Sequence, residues 1–337
     1  MSVGFGLISC QRTPGDPRSW GDLYREALDV ARGAESLGFG SVWTTEHHFV
    51  DDGYMPSLLP MSAALGAVTS RIEIGTGVVL APLYQPLRLA EDAATVSLLT
   101  GGRFVLGLGL GWSAIEFAAL GSDLRTRGRA MTETLQILRT AWSGSVVSHH
   151  GEVYDLPEVG VRPVPDRPIP VVIGGMADEA VKRAARHADG FFSNASASRL
   201  AEQAMVGRET MMQFDRDPSS FRWLYYTMVY PCDDPDRGWE DIREEIWRIR
   251  WKYSDMERSA SRTGPIPSPP ILDGDAERRL RDSVLLGTPK QIAQSLIDLR
   301  HNTGVDLEFV LRSYFPGFSL ERQLQVMEDL AEAIPLL

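Results

Sequence analysis

Cysteine is nearly absent from this sequence, in which only Cys10 and Cys232 occur. Two cysteines are too few for a disulfide framework, and their scarcity is typical of proteins that work in a reducing compartment. We therefore expect both to be ordinary buried thiols and the protein to be cytoplasmic.

Long apolar runs and an excess of positive charge are missing as well. No stretch approaches the roughly 18 apolar residues of a membrane-spanning helix. The first ten residues have no basic region before their apolar run, so we expect a strand there rather than a signal peptide. The net charge of −11 repels phosphate backbones, and no basic stripe interrupts it. Nucleic acid and membranes are therefore not expected partners.

What the chain does contain is a regular alternation of strand-like and helix-like segments, typical of a mainly parallel sheet surrounded by helices. The predicted strands are Val3–Ser9, Ser41–Thr45, Ile72–Leu80, Phe104–Leu110, Ile169–Ile173, Gly190–Ser193, Phe221–Tyr230 and Leu307–Arg312. Eight strands favour an α/β fold of the (β/α)8 TIM barrel type, whose typical size of about 250 residues leaves room here for insertions. We predict a single barrel domain over residues 1–337.

Two insertions are predicted, near 146–164 and 233–285. The first has the pattern of a hairpin followed by an extended connection, and the second is charged and contains the run "TGPIPSPP". Either insertion is a candidate lid for the barrel. Helix ends are also marked in the sequence: Thr288 before Pro289 predicts a helix start, and the pair Gly101-Gly102 predicts a helix end.

The second predicted strand ends in Glu46, His47 and His48, with Asp51 and Asp52 close behind. In such barrels the chemistry lies at the carboxyl ends of the strands. Neighbouring side chains on a strand point to opposite faces, so the two histidines are not expected to bind one metal, and no metal site is predicted. One functional histidine is the favoured interpretation, with a pair of structural histidines as the alternative.

Glycine is concentrated at the ends of the third and fourth strands. Gly75 and Gly77 allow a flat ring to lie against the backbone, although a simple bulge or bend is the alternative. Gly107, Gly109 and Gly111 share one strand face by alternation, which predicts bare backbone that a flat cofactor can approach. Trp112 stands where a dinucleotide fingerprint has its third glycine, so a Rossmann site is not predicted.

The fifth strand ends in Gly174-Gly175-Met176 and leads into a helix. Free amides at a helix start suit one phosphate, whereas Asp178 and Glu179 could cap the same amides instead. Strand ends made of small residues, one histidine and one candidate phosphate-binding site together favour a planar aromatic ligand with a single phosphate. Flavin mononucleotide (FMN) fits that description better than a dinucleotide does.

Five segments in order carry a family resemblance: "GFGSVWTTEHHF", "IEIGTGVVLAPLYQPLRLAEDAATVSLLTGGRFVLGLGLGW", "PIPVVIGG", "LLGTPKQIAQSL" and "EFVLRSYFPG". From Val3 to about Pro335 the chain resembles the bacterial luciferase-like monooxygenase family. That resemblance implies a (β/α)8 barrel that uses reduced FMN or a deazaflavin coenzyme.

Carried over residue by residue, the resemblance implies roles for the strand ends. His47 corresponds to the active-site histidine. The implied cofactor-binding residues form three groups. Thr76, Gly77 and Val78 would lie under the isoalloxazine, where the family often has a non-prolyl cis peptide. Gly109, Leu110 and Gly111 would lie beside the ring or phosphate, and Gly174, Gly175 and Met176 would lie at the phosphate. Luciferase itself has a cysteine and an arginine where Gly109 and Leu110 stand, so we expect no light emission and a phosphate held mainly by backbone amides.

The activity implied by the resemblance is that of a flavin-dependent monooxygenase. A separate NAD(P)H:flavin reductase would supply reduced FMN, and one atom of dioxygen would enter a small apolar substrate, in a protein expected to be a homodimer. A deazaflavin-dependent reductase or dehydrogenase and a non-catalytic flavin-binding protein are the alternatives. The residues expected near strand ends as pocket lining are Phe49, Tyr54, Met55, Trp112, Tyr314 and Phe315.

Overall fold

A computed structural model describes residues 2–258 and 267–337. Its strands are β1 Val3–Ile8, β2 Ser41–Thr44, β3 Glu73–Thr76, β4 Val79–Leu80, β5 Phe104–Gly109, β6 Val146–His150, β7 Asp155–Gly160, β8 Val171–Gly174, β9 Gly190–Ser193, β10 Arg222–Pro231, β11 Val284–Gly287 and β12 Leu307–Arg312. Its helices are α1 Trp20–Ser36, α2 Leu58–Val68, α3 Pro86–Leu99, α4 Ala114–Ala119, α5 Arg127–Trp142, α6 Asp178–His187, α7 Ala197–Gln213, α8 Pro235–Arg258, α9 Gly274–Arg281, α10 Pro289–Thr303 and α11 Leu320–Ala331.

The described strands form a closed parallel barrel in the order β1-β2-β3-β5-β8-β9-β10-β12, and β12 pairs back with β1. The predicted TIM barrel is therefore confirmed, together with the approximate position of each predicted strand. The third predicted strand, Ile72–Leu80, is divided in two, with the cis peptide Gly77–Val78 between β3 and β4. The carboxyl ends of the barrel strands form one face of the molecule, which we call the mouth.

One large side chain fills the barrel at mid-height. Trp43 of β2 is completely buried, and it packs on Phe192 of β9 with ring centroids 5.1 Å apart. A Cβ at Gly75 of β3 would overlap the indole, and one at Gly6 of β1 would lie 3.0 Å from the Trp43 Cβ. Gly6 and Gly75 thus make room for Trp43, and Gly75 is not an open seat for a ligand.

An ion-pair cluster closes the opposite, amino end of the barrel. Arg222 at the start of β10 reaches Glu308 of β12 at 2.6 Å and Glu73 of β3 at 2.8 Å. One carboxylate on the neighbouring strand and one on the opposite side of the barrel therefore compensate this interior cation, which is the arrangement that a buried charge requires.

The two insertions lie at different ends of the barrel. The hairpin of β6 and β7 connects α5 to β8, so it leaves from the amino ends of the strands, and the expectation that it covers the mouth is wrong. Glu133 of α5 holds this hairpin by accepting backbone N–H groups of Glu152, Val153 and Tyr154. Helix α8 follows β10 and does reach the mouth. Residues 259–266, which include part of "TGPIPSPP", lie outside the described residues.

A carboxylate of α1 fixes the turn that leads into β3. Glu35 accepts backbone N–H groups of Ser70 at 2.8 Å, Arg71 at 2.6 Å and Ile72 at 3.0 Å. Burial alone would raise the pKa of Glu35, but these hydrogen bonds outweigh it and lower the pKa to about 2. The ionised carboxylate therefore stabilises the folded chain fully above its unfolded pKa of about 4.3, and that stabilisation is lost as pH falls toward 2.

We expect Glu35→Gln to lower the free energy of unfolding by about 1–2 kcal/mol at pH 7, because three N–H groups lose a charged acceptor in a half-buried position. The loss should shrink when urea unfolding is repeated near pH 3. Glu158→Gln, a change at an exposed glutamate of the hairpin, is the matched control and should alter neither value. A Glu35→Gln deficit of equal size at both pH values would contradict this account.

Candidate functional site

His47 follows β2 and lies at the mouth with 6% of its surface exposed. Its Nδ1 is 3.0 Å from Oε1 of Glu116, and the same oxygen accepts the backbone N–H of His48 at 2.8 Å. A carboxylate can only accept, so Glu116 in its carboxylate form places the His47 proton on Nδ1. Nε2 is thereby left to exchange a proton with a ligand.

Glu116 lies in the first turn of α4 and is completely buried. Its second oxygen, Oε2, has no hydrogen-bond partner among the described residues. A buried acceptor without a partner costs free energy, and such groups are concentrated where a ligand or a mobile proton completes the bonding. Glu116 was not predicted from the sequence, since it lies 69 residues from His47 with no short motif joining them.

Aromatic side chains surround the His47 ring. Its centroid lies 4.9 Å from that of Tyr54, 5.4 Å from that of Tyr253 and 5.8 Å from that of Trp112. The Tyr54 hydroxyl donates to Oγ1 of Thr45 at 3.2 Å and lies 3.0 Å from the Tyr253 hydroxyl. Tyr54 and Trp112 were expected near the site, whereas Tyr253 arrives on α8. These rings shield His47 from water.

His48 has a different environment from His47. Its Nε2 lies 3.0 Å from Oε1 of the fully buried Glu46, which also accepts from the Leu80 N–H and the Tyr84 hydroxyl. Burial raises the pKa of Glu46. Burial alone would lower the pKa of His48, but its hydrogen bond to Glu46 and the Glu46 charge raise it. Glu46 therefore ties the end of β2 to β4, and His48 supports Glu46, whereas the His47 ring pairs with Glu116.

The half-exposed residues Gly77 and Val78 form a shelf at the mouth, joined by the cis peptide. The Val78 side chain occupies the space beside Gly109, where a Cβ would overlap it, and it lies 3.0 Å from a Cβ position at Gly174. Thr76 is buried below, with its hydroxyl bonded to both the N–H and the carbonyl of Gly107. A planar ligand on this shelf would therefore meet Val78.

The predicted bare face of β5 is occupied by protein. A Cβ at Gly107 would overlap the Thr76 carbonyl oxygen, and the open side of Gly109 is filled by Val78, so the expectation of bare backbone there is wrong. Leu110 packs into the core outside the barrel. Gly111 adopts φ +72°, a conformation that favours glycine, and turns the chain toward α4. Through that turn, the strand end positions Glu116.

The start of α6 is the candidate phosphate seat. Gly174 and Gly175 are half-buried, Met176 is 55% exposed, and no side chain caps the helix. Asp178 and Glu179 were alternative caps on sequence grounds, but Asp178 pairs with Arg199 of α7 instead. The amides therefore remain available in the described structure. Arg199, which the sequence did not reveal as part of the site, bridges Asp178 and Glu202 beside the seat.

A cavity of about 650 Å³ lies beside the mouth, between α8 and the loops after β1 and β2. Lys252 of α8 lies within it, with Nζ 3.0 Å from Oδ2 of Asp52 and 4.6 Å from the Tyr54 ring centroid. Burial lowers the pKa of Lys252 to about 8, against the opposing effect of Asp52. The ion pair holds α8, and hence Tyr253, against the barrel.

The other expected lining residues are not among the rings around His47, although the Met55 carbonyl accepts the His47 backbone N–H at 3.3 Å. Met55 is completely buried, Tyr314 packs in the core outside the barrel, and Phe315 packs on Tyr230 and Phe318. Phe49 is 58% exposed. Within residues 2–258 and 267–337, no three His, Cys, Asp or Glu side chains are arranged to hold a metal ion. In the same part of the chain, no helix combines the length and apolarity needed to span a membrane.

Comparison with known proteins gives one family. The family model described as luciferase-like monooxygenase matches residues 1–307. An F420-dependent glucose-6-phosphate dehydrogenase of Amycolatopsis mediterranei is 32% identical over 174 residues, which is 50% of this chain and 52% of that protein. The chain spans between about half and two thirds of the length of the curated relatives that it matches.

Among solved structures, monooxygenase RslO1 from Streptomyces bottropensis superposes with a TM-score of 0.83 at 21% identity, covering 100% of this chain and 99% of that one. The oxygenating constituent of 3,6-diketocamphane monooxygenase of Pseudomonas putida, in complex with FMN, gives a TM-score of 0.75 at 19% identity, with 99% and 98% covered. At these identities the likeness is one of fold.

Proposed function

Because the chain belongs to the luciferase-like monooxygenase family, we propose that it is an FMN-dependent oxidoreductase whose coenzyme lies at the barrel mouth. The reaction we propose is monooxygenation of a small organic substrate, with reduced FMN supplied by a separate reductase. The observation that carries the proposal is the buried pair of His47 and Glu116 beside the Gly77–Val78 shelf.

The residues at the mouth fit such a coenzyme. Val78 offers an apolar surface, and the neighbouring strand ends at Gly109 and Gly174 add no side chain that would stand above it. The uncapped start of α6 supplies amides and the positive end of a helix dipole, and Arg199 lies beside it, paired with Asp178 and Glu202. A flat ring and one phosphate can thus be accommodated by separate parts of the mouth.

Bound reduced flavin would supply the electrons that activate dioxygen. The protein's own contribution is to hold and move a proton at Nε2 of His47. Glu116 fixes the ring through Nδ1 and stabilises the imidazolium when Nε2 gains a proton. The rings of Tyr54, Trp112 and Tyr253 exclude water around that nitrogen, which strengthens the interaction with the carboxylate.

A second candidate function is hydride transfer with a deazaflavin coenzyme, without dioxygen. It is favoured by the relative from Amycolatopsis mediterranei, an F420-dependent dehydrogenase that is 32% identical over half of this chain. The same proton at His47 would then come from, or go to, a hydroxyl group of the substrate. The proton chemistry of His47 and Glu116 is common to both candidates.

Coenzyme binding separates the candidates. We expect the purified protein to bind reduced FMN about tenfold or more tightly than reduced riboflavin, the scale of one charge-assisted contact to phosphate. Anaerobic fluorescence titration measures both. Arg199→Gln should reduce that preference, whereas Arg125→Gln, at an arginine with 90% of its side chain exposed, should preserve it.

Product analysis then tests the reaction. Transfer of label from labelled dioxygen into the substrate supports monooxygenation, whereas binding of F420 alone would overturn the FMN proposal and support hydride transfer. Flavin binding without turnover, over a broad panel of organic substrates, would instead support a binding protein.

A further inference from the structure

Arg222 and Arg312 lie on the inner face of the barrel, at opposite ends. Arg222 begins β10 and is neutralised by Glu73 and Glu308. Arg312 ends β12 at the mouth. Because side chains alternate along a strand, Arg312 shares its face with Glu308 and with Val310, which packs in the barrel interior. The four residues from Glu308 to Arg312 span about 13 Å, too far for an ion pair.

Among the described residues, no carboxylate pairs with Arg312. Its Nε atom is enclosed and lacks a hydrogen-bond partner in the described part of the chain. The Tyr253 hydroxyl is hydrogen-bonded to Arg312, and Tyr54 and Tyr226 are close enough to interact with it. A second cation, Lys252, is close enough to feel its charge. The mouth therefore holds a partly buried guanidinium whose hydrogen-bond partner is a neutral hydroxyl and whose nearby ion, Lys252, is also a cation.

An enclosed cation without an anion costs free energy, and the barrel's amino end shows how this chain satisfies a structural arginine. Arg312 lacks such compensation among the described residues, and its planar fork of donors suits a carboxylate or a similar delocalised anion. Tyr253 is hydrogen-bonded to Arg312, and its ring centroid lies 5.4 Å from that of His47, so one side chain joins the guanidinium to the surroundings of His47.

We propose that Arg312 is an anion-binding residue of the mouth, which receives the negatively charged oxygen group of an organic anion beside His47. This proposal rests on the proposed function, and it changes the expected substrate from a wholly apolar molecule to an organic acid with an apolar body. The anion has two conceivable sources: the carboxylate of such a substrate, or the ring of the reduced flavin, whose pyrimidine edge is acidic.

The test uses the full-length protein without coenzyme and two matched probes, benzoate and its neutral analogue benzamide, at a fixed neutral pH. Calorimetry should show benzoate binding about tenfold or more tightly than benzamide. Arg312→Gln should abolish that preference and Arg312→Lys should retain part of it, whereas the exposed-site control Arg125→Gln should leave it unchanged. A parallel titration compares oxidised with reduced FMN.

Loss of benzoate preference in Arg312→Gln identifies a substrate acid as the anion, and selective weakening of reduced FMN identifies the coenzyme ring. The proposal would be overturned if Arg312→Gln bound benzoate, benzamide, oxidised FMN and reduced FMN each with the same affinity as the wild type. Failure of FMN to bind at all would overturn the proposed function but leave a benzoate preference intact, so the two failures are distinguishable.

Thermal unfolding provides an independent readout. Because Arg312 lacks an anion, Arg312→Gln should unfold at the same temperature as the wild type or higher. A fall of more than about 5 °C would show that Arg312 is a structural residue and would overturn its assignment to a ligand.

Discussion

Replacing His47 by Asn or Glu116 by Gln is expected to lower turnover by about 10²- to 10⁴-fold, the range typical of a lost general acid or base. His47→Asn removes the nitrogen that exchanges a proton. Glu116→Gln keeps an oxygen for His47 Nδ1 and the His48 N–H, but removes the charge that stabilises an imidazolium. Steady-state kinetics with saturating coenzyme measures the loss, while coenzyme affinity should change only a few-fold.

The two groups act as one unit, so the double variant should be no slower than either single variant by more than a few-fold. His150→Asn is the matched control: it removes an exposed histidine that pairs with Asp155 on the distant hairpin, and turnover should be unchanged. Full turnover in His47→Asn would remove this residue from the proposed mechanism. Multiplicative losses in the double variant would show that His47 and Glu116 act separately.

The largest expected effect on stability is that of Gly107→Ala. A Cβ at this position would overlap the carbonyl oxygen of Thr76, a backbone atom that cannot rotate away. The same threonine holds both polar backbone groups of Gly107 through its hydroxyl, so a shift of β5 would also break those bonds. We expect a loss of at least about 3 kcal/mol in the free energy of unfolding, or failure to fold.

Urea unfolding followed by circular dichroism measures this loss. Gly160→Ala is the matched control, because no atom lies within 4 Å of a Cβ at this hairpin position and its φ is not positive. The control should change stability by less than about 1 kcal/mol. A Gly107→Ala variant as stable as the wild type would mean that β3 and β5 do not approach each other as closely as described.

The barrel was predictable because its signals are local. Alternating strand and helix patterns required only short windows, and Thr288 forms the expected capping structure with Gln291 before the α10 helix. Gly101 and Gly102 likewise adopt the positive φ angles expected at the end of a helix. His47 could be selected because it directly follows a strand, and the barrel brings all such positions to one face.

The rest of the site depends on contacts that no short window contains. Glu116 meets His47 across 69 residues, and Tyr253 meets Tyr54 across 199 residues. Glycine spacing had a related limit, because an absent side chain does not reveal what fills its place. The space beside Gly107 is filled by Thr76 at the end of β3, and the space beside Gly109 is filled by Val78 of the shelf, rather than by a ligand. The roles proposed for Arg199 and Arg312 depend on the residues around them in the fold, which the sequence alone does not reveal.

The site is assembled from two parts of the chain that differ in their tolerance of change. His47, Glu116 and the shelf lie just after the ends of barrel strands. In the barrel, a single added carbon atom can overlap a neighbouring strand. Tyr253 belongs to α8, a helix of the second insertion, which is fastened to the barrel through Lys252 and Asp52. A change in this segment would therefore alter what surrounds the His47 ring while leaving the contact between His47 and Glu116 in place.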